Sequence, residues 1–189
     1  MISLDDNQLI RMIKQKDEKE LNEKLKRLKF LISNSTDEYV PMPSLALQYF
    51  EEARLCYYYG AFIATIFMVH NAFEELLRNF YRVIRGQKEK IILKRRSVNV
   101  DDATFKDLID NAENEQFITK EEARELHKLR KLRNILQHTK DVPPYQKSLD
   151  NSWLIQSMRI ESRIIYEDAR WAIKFLLNKF PLMCKRGLF

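Results

Sequence analysis

Apolar residues along this chain recur three and four positions apart, and little interrupts them: its 189 residues include only three glycines and five prolines. So few turn-forming residues leave room for long helices but not for many short strands. No stretch alternates apolar and polar residues as a half-buried strand would. Residues 5–32 read as an amphipathic helix, with Leu9, Ile10, Ile13, Leu21, Leu25, Leu28 and Ile32 near helical spacing among lysines and glutamates. "SNSTDEYVPMPS" breaks the pattern, and Ser44 is placed to cap a second helix over 44–59. Gly60 ends that helix. A third helix over 61–84 is the expected core helix, with Ala64, Phe67, Met68, Ala72, Leu76 and Phe80 on its apolar face.

"RGQKEKIILKRRSVNVDD" has no helical period, is dense in Lys and Arg, and reads as a loop or a ragged extension. "TFKDLIDNAENEQ" is a short helix. Thr119, with Glu122 three residues on, forms a capping-box signature for the next helix, which ends before the prolines of "TKDVPPYQKSLDNS". The last helix spans 152–180, where Pro181 is expected to stop it. The fold class is all-α. Residues 1–40 form an N-terminal helical extension, 41–182 a helical bundle and 183–189 a C-terminal tail.

Composition narrows the function classes. With 45% hydrophobic and 32% charged residues the chain suits a globular protein rather than a disordered one. A net charge of +6 is compatible with an acidic or nucleic-acid partner without demanding one. Cys56 and Cys184 lie far apart and form no CxxC pair, so neither a disulfide framework nor a zinc site is implied. His127 and His138 lack further ligands for a metal, and no cofactor-binding loop is present: there is no glycine-rich phosphate loop, no HExxH and no GxSxG. The N-terminus is charged from residue 5 and lacks a signal-peptide pattern. "YYYGAFIATIFMVHNAF" is too short and too interrupted to span a bilayer. A cytoplasmic protein without membrane contact is the expectation.

The stretch "RKLRNILQHTKD", residues 130–141, holds the strongest chemical signal. With Leu129 at zero on a helical wheel, Leu136, Leu132 and Leu126 fall within about 60° on either side. Arg133 falls at about 40°, inside this apolar stripe, whereas Arg130 sits about 100° away at its boundary. A buried arginine requires a partner. Its head could snorkel out along the stem, Glu74 or Glu75 of the third helix would supply a structural ion pair, or it lies in a cleft or at a subunit interface. Asn134 and His138 are four apart and share a face, on which His127 also nearly lies. Arg133 and His138 diverge by about 140°, so a second copy of the helix is needed to bring both kinds of group to one atom.

Arg133-Asn134-Ile135-Leu136-Gln137-His138 resembles the R-x-x-x-x-H motif of the HEPN superfamily (higher eukaryotes and prokaryotes nucleotide-binding), including the polar residue that many members carry after the arginine. Residues 44–78 look like that family's first helical pair, ending in an ExLLR-like signature at Glu74 to Arg78. Residues 104–134 look like the short helix and linker that precede the motif helix in prokaryotic defence-associated members. The resemblance covers about 44–142 and extends toward 180. It implies a HEPN-like four- or five-helix bundle that forms a homodimer through the motif helices, with the N-terminal amphipathic helix as an addition.

Many members are metal-independent RNA endonucleases of toxin–antitoxin and antiviral-defence systems; others are binding modules. The resemblance implies RNA as substrate, an antitoxin or defence-system partner, and catalysis by Arg133, His138 and Asn134, with Glu74 and His70 in support. The basic residues Lys88, Lys90, Lys94, Arg95, Arg96 and Arg130 are candidates for the RNA backbone, beside the alternative of a solvated surface. Some family toxins carry a modifiable tyrosine two residues after the histidine. Lys140 stands there, with Tyr145 out of register, which speaks against that mode of neutralisation. Three readings stay open: a ribonuclease, a non-catalytic module for RNA, nucleotide or protein, and a scaffold whose Arg133 forms a structural pair.

Overall fold

The computed structural model describes residues 6–35, 41, 43–84, 90–93, 96–137 and 151–187. Six α-helices dominate it: α1 (Asp6–Asn34), α2 (Ser44–Tyr59), α3 (Phe62–Asn79), α4 (Phe105–Asn114), α5 (Lys120–Gln137) and α6 (Asn151–Gly187). A single π-helical turn, Phe80–Ile84, extends α3. Among the described residues no helix is long and apolar enough to cross a membrane.

α3 is the hub, packed against α2, α4, α5 and α6. Its buried face is wider than the apolar spacing indicated. Ala72, Leu76 and Phe80 are buried as expected, but Ile66, Val69, Phe73 and Leu77 carry much of the core, while Ala64, Phe67 and Met68 stay part-exposed. Phe73 meets Phe175 and Phe180 of α6 at ring distances of 5.0 and 5.6 Å, and Phe50 of α2 meets Phe180 at 5.4 Å.

Gly60 turns the chain from α2 into α3 with a left-handed φ of 79°. The Ala61 N–H reaches the Cys56 carbonyl at 2.8 Å, closing the helix end as a Schellman-type cap. A Cβ on Gly60 would lie 3.5 Å from the Arg27 guanidinium of α1, whose Nε donates to the Tyr58 carbonyl at 2.7 Å. Arg27 thereby ties α1 to the open carbonyl end of α2.

Several expectations are corrected. Pro43, not Ser44, occupies the cap position of α2; its carbonyl accepts from the Leu47 N–H, and Ser44 is already helical. α1 is the N-terminal helical extension. Only its last third packs, through Arg27, Phe30 and Leu31, and residues 8–22 are exposed. The supposed loop contains an antiparallel hairpin of β1 (Lys90–Leu93) and β2 (Arg96–Asn99), paired Lys90 with Asn99 and Leu93 with Arg96. Its strands are four residues each, too short to show alternation, although Ile91, Ile92 and Val98 have the β-branched character that suits them.

α6 does not stop at Pro181 but continues to Gly187, so 183–187 are no tail. A proline inside a helix costs about 3 kcal/mol. Here tertiary packing offsets it, since Met183 and Cys184 are buried in the core and Arg186 binds Glu122.

Both predicted helix starts around α4 and α5 have physical caps. Thr104 and Asp107 form a complete capping box at α4. At α5 the Glu122 N–H donates to Thr119 Oγ1 at 3.2 Å, and the Thr119 N–H donates to Glu122 Oε2 at 2.9 Å. Glu122 is 1% exposed and also accepts both Arg186 Nη atoms, at 2.6 and 2.9 Å. One carboxylate therefore caps α5 and pins the end of α6.

Candidate functional site

α5 turns Ala123, Leu126 and Leu129 fully inward, with Leu132 and Leu136 packed on the core edge. Helical geometry then carries Arg133 onto the same side, against α3. Its Cζ lies 5.6 Å from the centre of the Phe67 ring. Nη1 donates to Asn134 Oδ1 at 3.3 Å, a long bond. Nε is buried with no hydrogen-bond partner among the described residues, and no described carboxylate pairs with the guanidinium. Arg130 has the same defect: its Nε is also buried and unpartnered among the described residues. A guanidinium has five N–H donors, and an unmatched buried donor costs about 1–3 kcal/mol. Two arginines one turn apart are thus under-satisfied on the inner side of α5.

His70 of α3 lies within their field. It is 3% exposed and meets Phe105 of α4 edge-on at 4.5 Å. Its Nδ1 is 3.4 Å from Asn71 Oδ1 and 3.6 Å from Glu74 Oε2. Burial pushes its pKa below the ordinary value; the Glu74 carboxylate and Asn71 pull it back up, and Arg133 and Arg130 press it down further. The neutral imidazole is therefore the favoured form, held inside the bundle rather than on a cleft wall.

Glu74 does not partner Arg133, as had been expected of it. It accepts from Arg78 Nη2 at 2.6 Å. Arg78 also donates to the carbonyls of Val100, Asp101 and Ala103, so the Glu74–Arg78 pair clamps the chain between β2 and α4. Glu75 is likewise taken, by Arg82 at 2.9 Å. The reason is proximity: Glu74 and Arg78 are one turn apart on α3, whereas Arg133 leans on Phe67, two turns earlier.

Of the other expected residues, His138, Lys88, Lys94 and Arg95 lie outside the described residues, as do the side chains of Lys90 and Arg96, whose backbones open β1 and β2. His127 is bound to Asp110 of α4 at 3.0 Å. Among the described residues no three His, Cys, Asp or Glu side chains gather into a metal-holding group. Sequence reasoning passed over a second basic set on α5: Lys120, Arg124, Lys128 and Lys131, which line one groove. Their spacing of four, four and three residues was the available signal.

Arg130, Arg133 and Asn134 present several donors and a permanent double charge on one side of one helix. That arrangement suits an oxyanion with more than one acceptor oxygen, such as a phosphodiester. No family model, curated protein or solved structure matches this chain.

Proposed function

We propose that this chain is a HEPN-type ribonuclease: a metal-independent RNA endonuclease that works as a homodimer and acts as a toxin or antiviral-defence effector. The observation that carries the reading is Arg133, a guanidinium at the α3–α5 boundary with its Nε buried and its remaining donors uncommitted among the described residues. A scaffold arginine in that position would have a carboxylate. An arginine that waits for a phosphate would not.

In the proposed reaction the 2′-oxygen attacks the adjacent phosphorus as its proton passes to a base. The phosphorus–O5′ bond breaks, and an acid protonates the leaving oxygen. The products are a 2′,3′-cyclic phosphate and a 5′-hydroxyl. His138 is the proton-transfer group, because imidazole titrates near neutrality. Arg133 neutralises the charge that develops on the phosphorane oxygens. Asn134 Oδ1 already accepts from Arg133, which supports a role in orienting that guanidinium. His70, buried on α3 and within the electrostatic reach of both arginines, is the supporting group in this reading. Two α5 helices facing each other bring Arg133 of one copy to His138 of the other.

Mixing variants tests the composite site. Arg133→Ala and His138→Ala homodimers are each expected to be inactive on RNA in EDTA, with normal helicity. Co-refolded together, they are expected to regain activity by forming mixed dimers with one intact site. Inactive variants that regain nothing on mixing contradict the shared site. A wild-type protein that binds RNA but leaves no cyclic-phosphate ends points to a binding module instead.

A further inference from the structure

On the side of α5 turned away from Arg133 lies a groove of about 580 Å³, bounded by α4, α5 and α6. Lys120, Arg124, Lys128 and Lys131 line it. Around the helix, Arg124 stands about 180° and Lys128 about 140° from Arg133, so this is not the candidate catalytic face. We infer that the groove is a path for the backbone of a single-stranded RNA, separate from the site of cleavage.

Three observations carry this. First, the cations are spaced as a ladder. Successive members sit about one turn apart, and the set spans about 16 Å along the axis. One phosphate group reaches at most two of them; a strand that repeats its charge reaches all four.

Second, these cations are left open. Some cations elsewhere on the surface are paired: Lys24 with Glu20 at 2.6 Å, Arg54 with Glu51 at 3.0 Å, Arg82 with Glu75 at 2.9 Å. In the groove Lys120 and Lys131 have no ion pair among the described residues, and Arg124 has only a 3.6 Å approach to the adjacent Glu125. Lys120 also sits in the first turn of α5, where the helix dipole disfavours a cation. Local stability does not account for it. Lys128 is held in place, its ammonium 3.8 Å from the Trp171 ring, while Trp171 Nε1 is fixed on Glu125 at 3.1 Å.

Third, the floor is apolar. Leu132 and the 69%-exposed Ile135 give a base or ribose face somewhere to rest between phosphates. Glu113 and Asp168 also line the groove. Burial raises the Asp168 carboxyl above its usual range against the pull of Lys128.

The choice of RNA over another polyanion rests on the ribonuclease reading, whereas the groove's charge pattern does not. The test is fluorescence anisotropy of the full chain with a labelled oligouridine of about 12 nucleotides over a range of salt. Arg124→Glu/Lys131→Glu is expected to weaken binding at least about tenfold and to reduce the salt slope by about 1.4, two single-strand phosphate contacts. Helicity is expected to be unchanged, and the charge-matched control Lys16→Glu/Lys19→Glu, on the exposed part of α1, is expected to bind as wild type. Unchanged affinity and slope in the double variant overturn the inference. So does tighter binding of an oligoglutamate than of oligouridine, which would make the groove a dock for an acidic protein segment. RNA cleavage that depends on Arg133 with groove-independent binding sinks the groove and leaves the ribonuclease. Groove-dependent binding in a protein that cuts nothing does the reverse.

Discussion

α5 buries a charge near each end and treats the two in opposite ways. At its start Glu122 is enclosed and fully met, by two Arg186 donors and the Thr119 N–H. Near its end Arg133 is part-buried, with one long hydrogen bond and an Nε that meets nothing among the described residues. The two sites share a helix, a core and a register. The first is built to hold two helices together. The second carries a donor that has no hydrogen-bond partner among the described residues. A buried charge is informative about function only through its partners.

This contrast can be broken. Glu122→Ala leaves Arg186 unmatched and uncaps α5, and is expected to cost about 3 kcal/mol in urea unfolding. Arg186→Ala strands the enclosed Glu122 carboxylate without its partner and is expected to cost a similar amount, about 3 kcal/mol. Arg133→Met keeps the packing on Phe67 while removing an unsatisfied donor, so its stability is expected to stay within about 1 kcal/mol of wild type, or to rise. A loss as large as that of Glu122→Ala would make Arg133 a structural residue and erase the difference between the two ends.

Acid sharpens the same comparison. Burial alone would raise the Glu122 carboxyl, but the Arg186 and Thr119 hydrogen bonds outweigh it and hold its pKa below the ordinary 4.5. Its stabilisation is therefore present above pH 4.5 and is lost as pH falls through the lowered value. His70 is held below its ordinary 6.5, so folding favours the neutral ring; that contribution is complete above pH 6.5 and drains away as pH falls below it. Melting temperature should decline in two stages on acidification, and Glu122→Gln should remove the lower one. The smallest effect expected is on His70 itself: Arg133→Met removes a cation that presses its pKa down, so the ring should titrate at a higher pH by NMR.

Much of this was legible in the chain before folding. Apolar spacing and Gly60 delimited α2, the Thr119/Glu122 box announced α5, and the wheel placed Arg133 among leucines. These signals are local, set by residues within one or two turns of each other. What was not legible depended on distant partners. α6 passes Pro181 because Glu122, 64 residues away from Arg186, holds its last turn. Glu74 was claimed by Arg78, whose remaining donors are drawn to carbonyls beyond the hairpin. Arg130 looked like a boundary residue, yet its Nε is buried. The four-cation groove emerges only when α4 and α6 wall in one side of α5.

The most direct test of the central claim is RNA cleavage in EDTA by wild type and Arg133→Met at equal concentration, each with its melting temperature recorded. The account predicts matching melting temperatures and at least about a hundredfold loss of cleavage, the scale seen when a transition-state donor is removed. Cleavage that survives in a folded Arg133→Met protein would contradict it.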